Sequence, residues 1–100
     1  MALKRTSPKT RRTAVNIGQQ LLTWRKLQGL TAQQVADRAG LSRATLRKVE
    51  HGELGVGLES FLDIARVLGL STQLNSAFDP YETDMGRARA DEQLPQRVRR

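Results

Sequence analysis

Residues 30–52 read LTAQQVADRAGLSRATLRKVEHG, a stretch that writes two short helices joined by a three-residue turn. Thr31 is placed to cap the first helix, and Gln34, three residues later, completes a capping-box pattern. Val35, Ala36 and Ala39 supply the inward face of that helix. Gly40 ends it, because glycine takes a positive φ without strain. Gly40-Leu41-Ser42 then reverses the chain, with Leu41 turned inward and Ser42 capping the next helix. The pattern predicts a helix-turn-helix.

The second helix runs from Arg43 to about His51, and on a helical wheel at roughly 100° per residue its side chains divide into two faces. Leu46 and Val49 fall on one side; Ala44, Arg47, Lys48 and His51 fall opposite, with Arg43 at the N-terminal flank. The outward face therefore holds three cations, one small side chain and no carboxylate. Such a face suits a phosphate-lined groove. Arg and Lys can donate to guanine O6 and N7, Ala44 can meet a thymine methyl, and the Ser42 hydroxyl with the helix N-terminus can hold a phosphate. A basic helix face can also be merely solvated; the turn before it is what favours groove docking on double-stranded DNA.

Gly18-Gln19-Gln20-Leu21, Arg25-Lys26, Gly29-Leu30-Thr31, Val35-Ala36, Ala39 to Leu46 and Glu50-His51-Gly52 together resemble the Cro/C1-type (Xre) helix-turn-helix family, in register and without a gap, over about residues 16–70. The resemblance implies an all-α, lambda-repressor-like bundle of four to five short helices. It places Arg43, Ala44, Arg47 and Lys48 toward base edges, and Ser42 and the start of the first motif helix toward phosphate. The DNA-contacting set expected on this basis is Thr31, Gln33, Ser42, Arg43, Ala44, Thr45, Arg47 and Lys48. Where the family commonly has Gln after the opening Thr, this chain has Ala32, which removes that phosphate contact or moves it to Gln33. The resemblance also implies an internal pair, Arg25 with Glu50, and the wheel sets Glu50 at the inner flank.

One hundred residues allow one domain. Ile17, Leu21, Trp24 and Leu27 recur at helical spacing, as do Phe61, Leu62, Ala65 and Leu68, and both sets are expected to build the core. Gly52, Gly55 and Gly57 punctuate a connector; they follow a helix rather than a strand, which argues against a phosphate cradle. The net charge of +7 is uneven. Residues 1–13 carry five cations (Lys4, Arg5, Lys9, Arg11, Arg12) and no acid, and read as a disordered basic arm that tracks DNA or stays solvated. Residues 14–70 form the DNA-binding domain.

Cysteine is absent and His51 is the single histidine, so disulfides, thiolate metal sites and a His-based acid–base pair are excluded. No metal, cofactor or catalytic residue is expected, and the chain is not read as an enzyme. The N-terminus has no apolar signal-peptide core, and no stretch approaches about 18 apolar residues. The expected setting is cytoplasmic, at the nucleoid, without a membrane.

Residues 71–79, beginning Ser71-Thr72-Gln73-Leu74, alternate loosely and are expected to form a strand that pairs with its mate across a homodimer; the family resemblance leaves an extra helix here as the alternative. Residues 80–100 are a charged tail with a short helix near Glu82 to Glu92, able to order on a partner. The helix-turn-helix followed by this strand and tail is similar to the HipB-like antitoxins, which implies autoregulation of an operon on a palindromic operator and capture of a HipA-like kinase toxin. The competing reading is a stand-alone transcription factor of the prophage or restriction-controller kind, with no toxin partner.

Overall fold

The computed structural model describes residues 5–94. Among them lie six α-helices and no strand: α1 (Pro8–Leu27), α2 (Ala32–Ala39), α3 (Arg43–Glu50), α4 (Leu58–Val67), α5 (Ser71–Ala77) and α6 (Asp84–Gln93), with a 3-10 turn at Pro80–Glu82. The all-α bundle expected from the sequence is the observed fold. The chain divides after Leu70 into two compact units, the first holding α1 to α4 and the second the rest.

A three-residue phrase, Gly-Leu-Ser/Thr, occurs at residues 29–31, 40–42 and 69–71, and its first two residues do the same work each time. At its middle occurrence, Gly40 takes φ 71°. The Gly40 N–H donates to the Asp37 carbonyl at 3.2 Å and the Leu41 N–H to the Ala36 carbonyl at 2.9 Å, a Schellman stop that satisfies two orphan carbonyls of α2. The same bond pair closes α1 at Gly29-Leu30 and α4 at Gly69-Leu70. Leu30, Leu41 and Leu70 then pack against the core. The third residue opens the next helix: Thr31 accepts from the Gln34 N–H at 3.0 Å while Gln34 accepts from the Thr31 N–H at 2.8 Å, completing the capping box. Ser42 accepts from the Thr45 N–H at 3.1 Å. Stop, anchor and cap thus sit in consecutive residues, which is why the connections are short.

The core of the first unit is Leu21, Val35, Ala36, Leu46, Val49, Ile64 and Leu68, with Phe61 and Val56 packed against it. The predicted stripe on α1 is only partly right. Leu21 is buried, but Ile17, Trp24 and Leu27 are exposed, Trp24 to 40%. Gly18, Leu21 and Arg25 face inward instead. Gly18 lies so close to the Val49 carbonyl that any Cβ would collide with it, and Gln28 donates to the Leu68 carbonyl at 2.8 Å. A glycine and two polar side chains are needed on that face, and an apolar pattern passes over them. On α4, Ala65 and Leu68 are buried and Leu62 is exposed.

Two further expectations are corrected. The basic arm is not irregular from residue 8 onward: α1 begins at Pro8, and the Ser7 hydroxyl accepts from the Lys9 and Thr10 N–H groups at 3.1 and 3.4 Å. Capped, with Pro at its first position, the segment extends a helix already nucleated by packing, which costs little. Residues 1–4, with Lys4, lie outside the described residues. The expected dimerisation strand is also wrong, since Ser71–Ala77 is helix α5. With no partner strand among the described residues, the local helical bonds are what satisfy its backbone groups.

In the second unit Asp79 accepts from the Tyr81 N–H at 2.9 Å and Thr83 from the Gly86 N–H at 2.9 Å, capping the 3-10 turn and α6. Gly86 sits against the Pro80 carbonyl with no room for a Cβ. Arg87 pairs with Asp84 and donates to the Tyr81 carbonyl. Residues 95–100 of the expected tail lie outside the described residues.

Candidate nucleic-acid interface

The outward face of α3 follows from its inward one. Leu46 is fully buried and Val49 nearly so. Eight residues at the helical period leave Arg43, Ala44, Arg47 and Lys48 exposed on the opposite side, as the wheel predicts. Arg43, Ala44, Arg47 and His51 line a surface groove whose other walls are Leu22 and Arg25 of α1, Ala32 of α2, and Glu50. Lys48 is exposed on α3 beside that groove rather than in it.

Glu50 is the only carboxylate of α3, and it is taken out of play by Arg25. Arg25 Nε donates to Glu50 Oε2 at 2.7 Å and Nη2 to Oε1 at 3.2 Å, while Nη1 donates to the Leu30 carbonyl at 3.1 Å. The two side chains are only 12% and 10% exposed. This fork joins α1, the α1–α2 turn and the end of α3. It leaves the exposed face of the helix cationic, with no acid to repel a phosphate.

The remaining expected residues are placed as follows. Ser42 is exposed at the α3 N-terminus, its Oγ 3.0 Å from Thr45 Oγ1. Thr45 is half-buried, so its hydroxyl serves Ser42 and the helix start. Thr31 is exposed at the start of α2, its oxygen accepting the capping bond; a hydroxyl retains its proton for a further acceptor. Gln33 is exposed too, and its amide nitrogen donates to Asp37 at 2.7 Å, which orients the side chain and leaves its second N–H for a phosphate. Ala32 packs against the core and forms a wall of the groove, where a longer polar side chain would reach outward.

Sequence reasoning missed Leu22 as a groove wall. The signal was its position three residues before Arg25, on one side of α1. Among the described residues no group of three His, Cys, Asp or Glu side chains is placed to hold a metal ion. No helix among them is long and apolar enough to cross a membrane.

The chain matches the helix-turn-helix family over residues 21–75, more than half its length and spanning α2 and α3 with the groove between them. No curated protein gives a significant match.

Proposed function

Since the chain belongs to the Xre/Cro-like helix-turn-helix family, a family of DNA-binding transcription regulators, we propose that it is a sequence-specific repressor. In this reading it binds a palindromic operator as a homodimer, with α3 in the major groove. The observation that carries the proposal is the acid-free cationic face of α3, held rigid by the Arg25–Glu50 fork. Arg43, Arg47 and Lys48 would donate to base edges or phosphates, Ala44 would contact a thymine methyl, and Ser42, Thr31 and Gln33 would border phosphate. Thr45 would act by holding the Ser42 hydroxyl.

Information content favours two copies. One short helix presents only four outward side chains to the bases, whereas a symmetric pair about 34 Å apart reads two half-sites. The first unit also leaves Leu54, Leu58 and Leu62 exposed, apolar surface that association would cover. Selection of bound duplexes from a random pool tests the reading: an inverted repeat with half-sites one helical turn apart is expected, and a preference lost in Arg43→Ala. Recovery of no common sequence would remove it.

A second role, an antitoxin that holds a HipA-like kinase toxin, is favoured by the second unit, which leaves Phe78, Met85 and Leu94 exposed beside mixed charge. The strand that supported this resemblance is a helix, so the role rests on those side chains. Co-purification of a kinase-like partner from the native host, lost when residues 79–100 are deleted, is the expected result. A stand-alone regulator would copurify no such partner with either form.

A further inference from the structure

The first turns of α1 carry Lys9, Arg11 and Arg12, all exposed, and no acid. Packing does not call for them: along α1, partial burial begins at Ala14 and full burial at Gly18. About a turn and a half of cationic helix therefore extends past the packed part of the bundle. Cations at a helix N-terminus oppose the positive end of the macrodipole, so this charge works against the helix that carries it unless an external anion offsets it.

The direction of the extension is fixed. Gly18 rests on the Val49 and Glu50 carbonyls, and Val15 lies so close to Gly52 that a Cβ there would meet the Val15 backbone. The step from Gly18 back to Val15 thus follows α3 from Val49 past its end to Gly52. Arg11, four residues earlier, continues that direction by about 6 Å. Positions 11, 15 and 22 share one stripe of a helix, and Leu22 lines the groove beside Arg43 and Arg47. Arg11 therefore stands on the same side of the molecule as the outward face of α3, beyond its C-terminal end, with Arg12 next to it. An eight-residue helix is about 12 Å long, on the scale of the major-groove width, so with α3 in the groove a cation just beyond its end would be within reach of a bordering phosphate strand.

We propose that Arg11 and Arg12 form a second, preformed DNA contact, a helical bracket on the backbone phosphates that border the site beyond the C-terminal end of α3. It rests on the groove-reading role of α3, extends the contact outside the bases read, and adds affinity without sequence preference. Because the bracket is already helical, it needs no folding on the duplex.

The test is the full-length Arg11→Gln/Arg12→Gln variant, in which Gln preserves helix propensity, compared with wild type and Arg43→Ala on a selected operator and on random duplex over a range of salt. The slope of log K against log salt is expected to fall in magnitude by about 2 per bound copy. The ratio of operator to random binding should stay unchanged, and circular dichroism should show no gain of protein helix when wild type binds. An unchanged slope alongside a lost preference in Arg43→Ala overturns the bracket and leaves the α3 reading standing. A substantial gain of helix on binding also overturns it, since the segment would then fold on the duplex. If neither variant changes binding, both readings fall.

Discussion

At the scale of single residues, the interface divides into side chains that would read and side chains that hold. Arg43 and Lys48 are exposed and make no structural contact that the fold depends on, so Arg43→Ala or Lys48→Ala should leave Tm nearly unchanged. Each should cost about 1–3 kcal/mol of binding to the selected operator if it reaches a base, with preference relaxed at one base pair, as measured by titration against single-substitution operators. Glu50 behaves in the opposite way. Glu50→Ala strands the Arg25 guanidinium in a largely buried site, at a cost of about 3–5 kcal/mol. In a domain of this size thermal denaturation should register a fall in Tm on the order of 10 °C or more. A Tm within a degree or two of wild type would mean the fork contributes nothing to the fold.

At the scale of elements, capping and recognition meet at Ser42. Its oxygen caps α3, and in the proposed complex it also borders phosphate. Ser42→Asp separates the two roles, because aspartate caps as well as serine does but adds a negative charge. The variant should keep its Tm within a few degrees, while operator affinity falls by about tenfold or more, equivalent to about 1.4 kcal/mol. Equal affinity would place the α3 N-terminus away from the backbone. The turn that aims α3 is tested by Gly40→Ala, which forces a Cβ into the left-handed region at about 1–2 kcal/mol. Chemical denaturation should show that loss, with the operator preference of the folded fraction retained.

At the scale of the whole molecule, the core of the first unit ends at Leu68, and Leu70 completes the α4 stop. A chain stopped after residue 75 is therefore expected to unfold cooperatively, with Tm within a few degrees of the full-length protein. A broad, non-cooperative transition would show that the second unit is required for the first to fold.

What was legible in the sequence is local: the Thr31–Gln34 box, the Gly40 stop, the Ser42 cap and the division of α3 into Leu46 and Val49 against Arg43, Ala44, Arg47 and Lys48. Each depends on bonds or faces within one turn of chain, so residue spacing determines it. The Arg25–Glu50 fork came from family resemblance, since nothing local ties residues 25 apart. Only the tertiary structure decided which side of α1 is buried, because Gly18, lacking a Cβ, lets the end of α3 approach and Arg25 turns in to the Glu50 carboxylate. It alone showed that residues 71–77 form a helix, their loose alternation finding no neighbouring strand, and that α1 starts at Pro8. A helix already anchored by packing propagates into a capped basic segment that, read in isolation, looks like an unstructured arm.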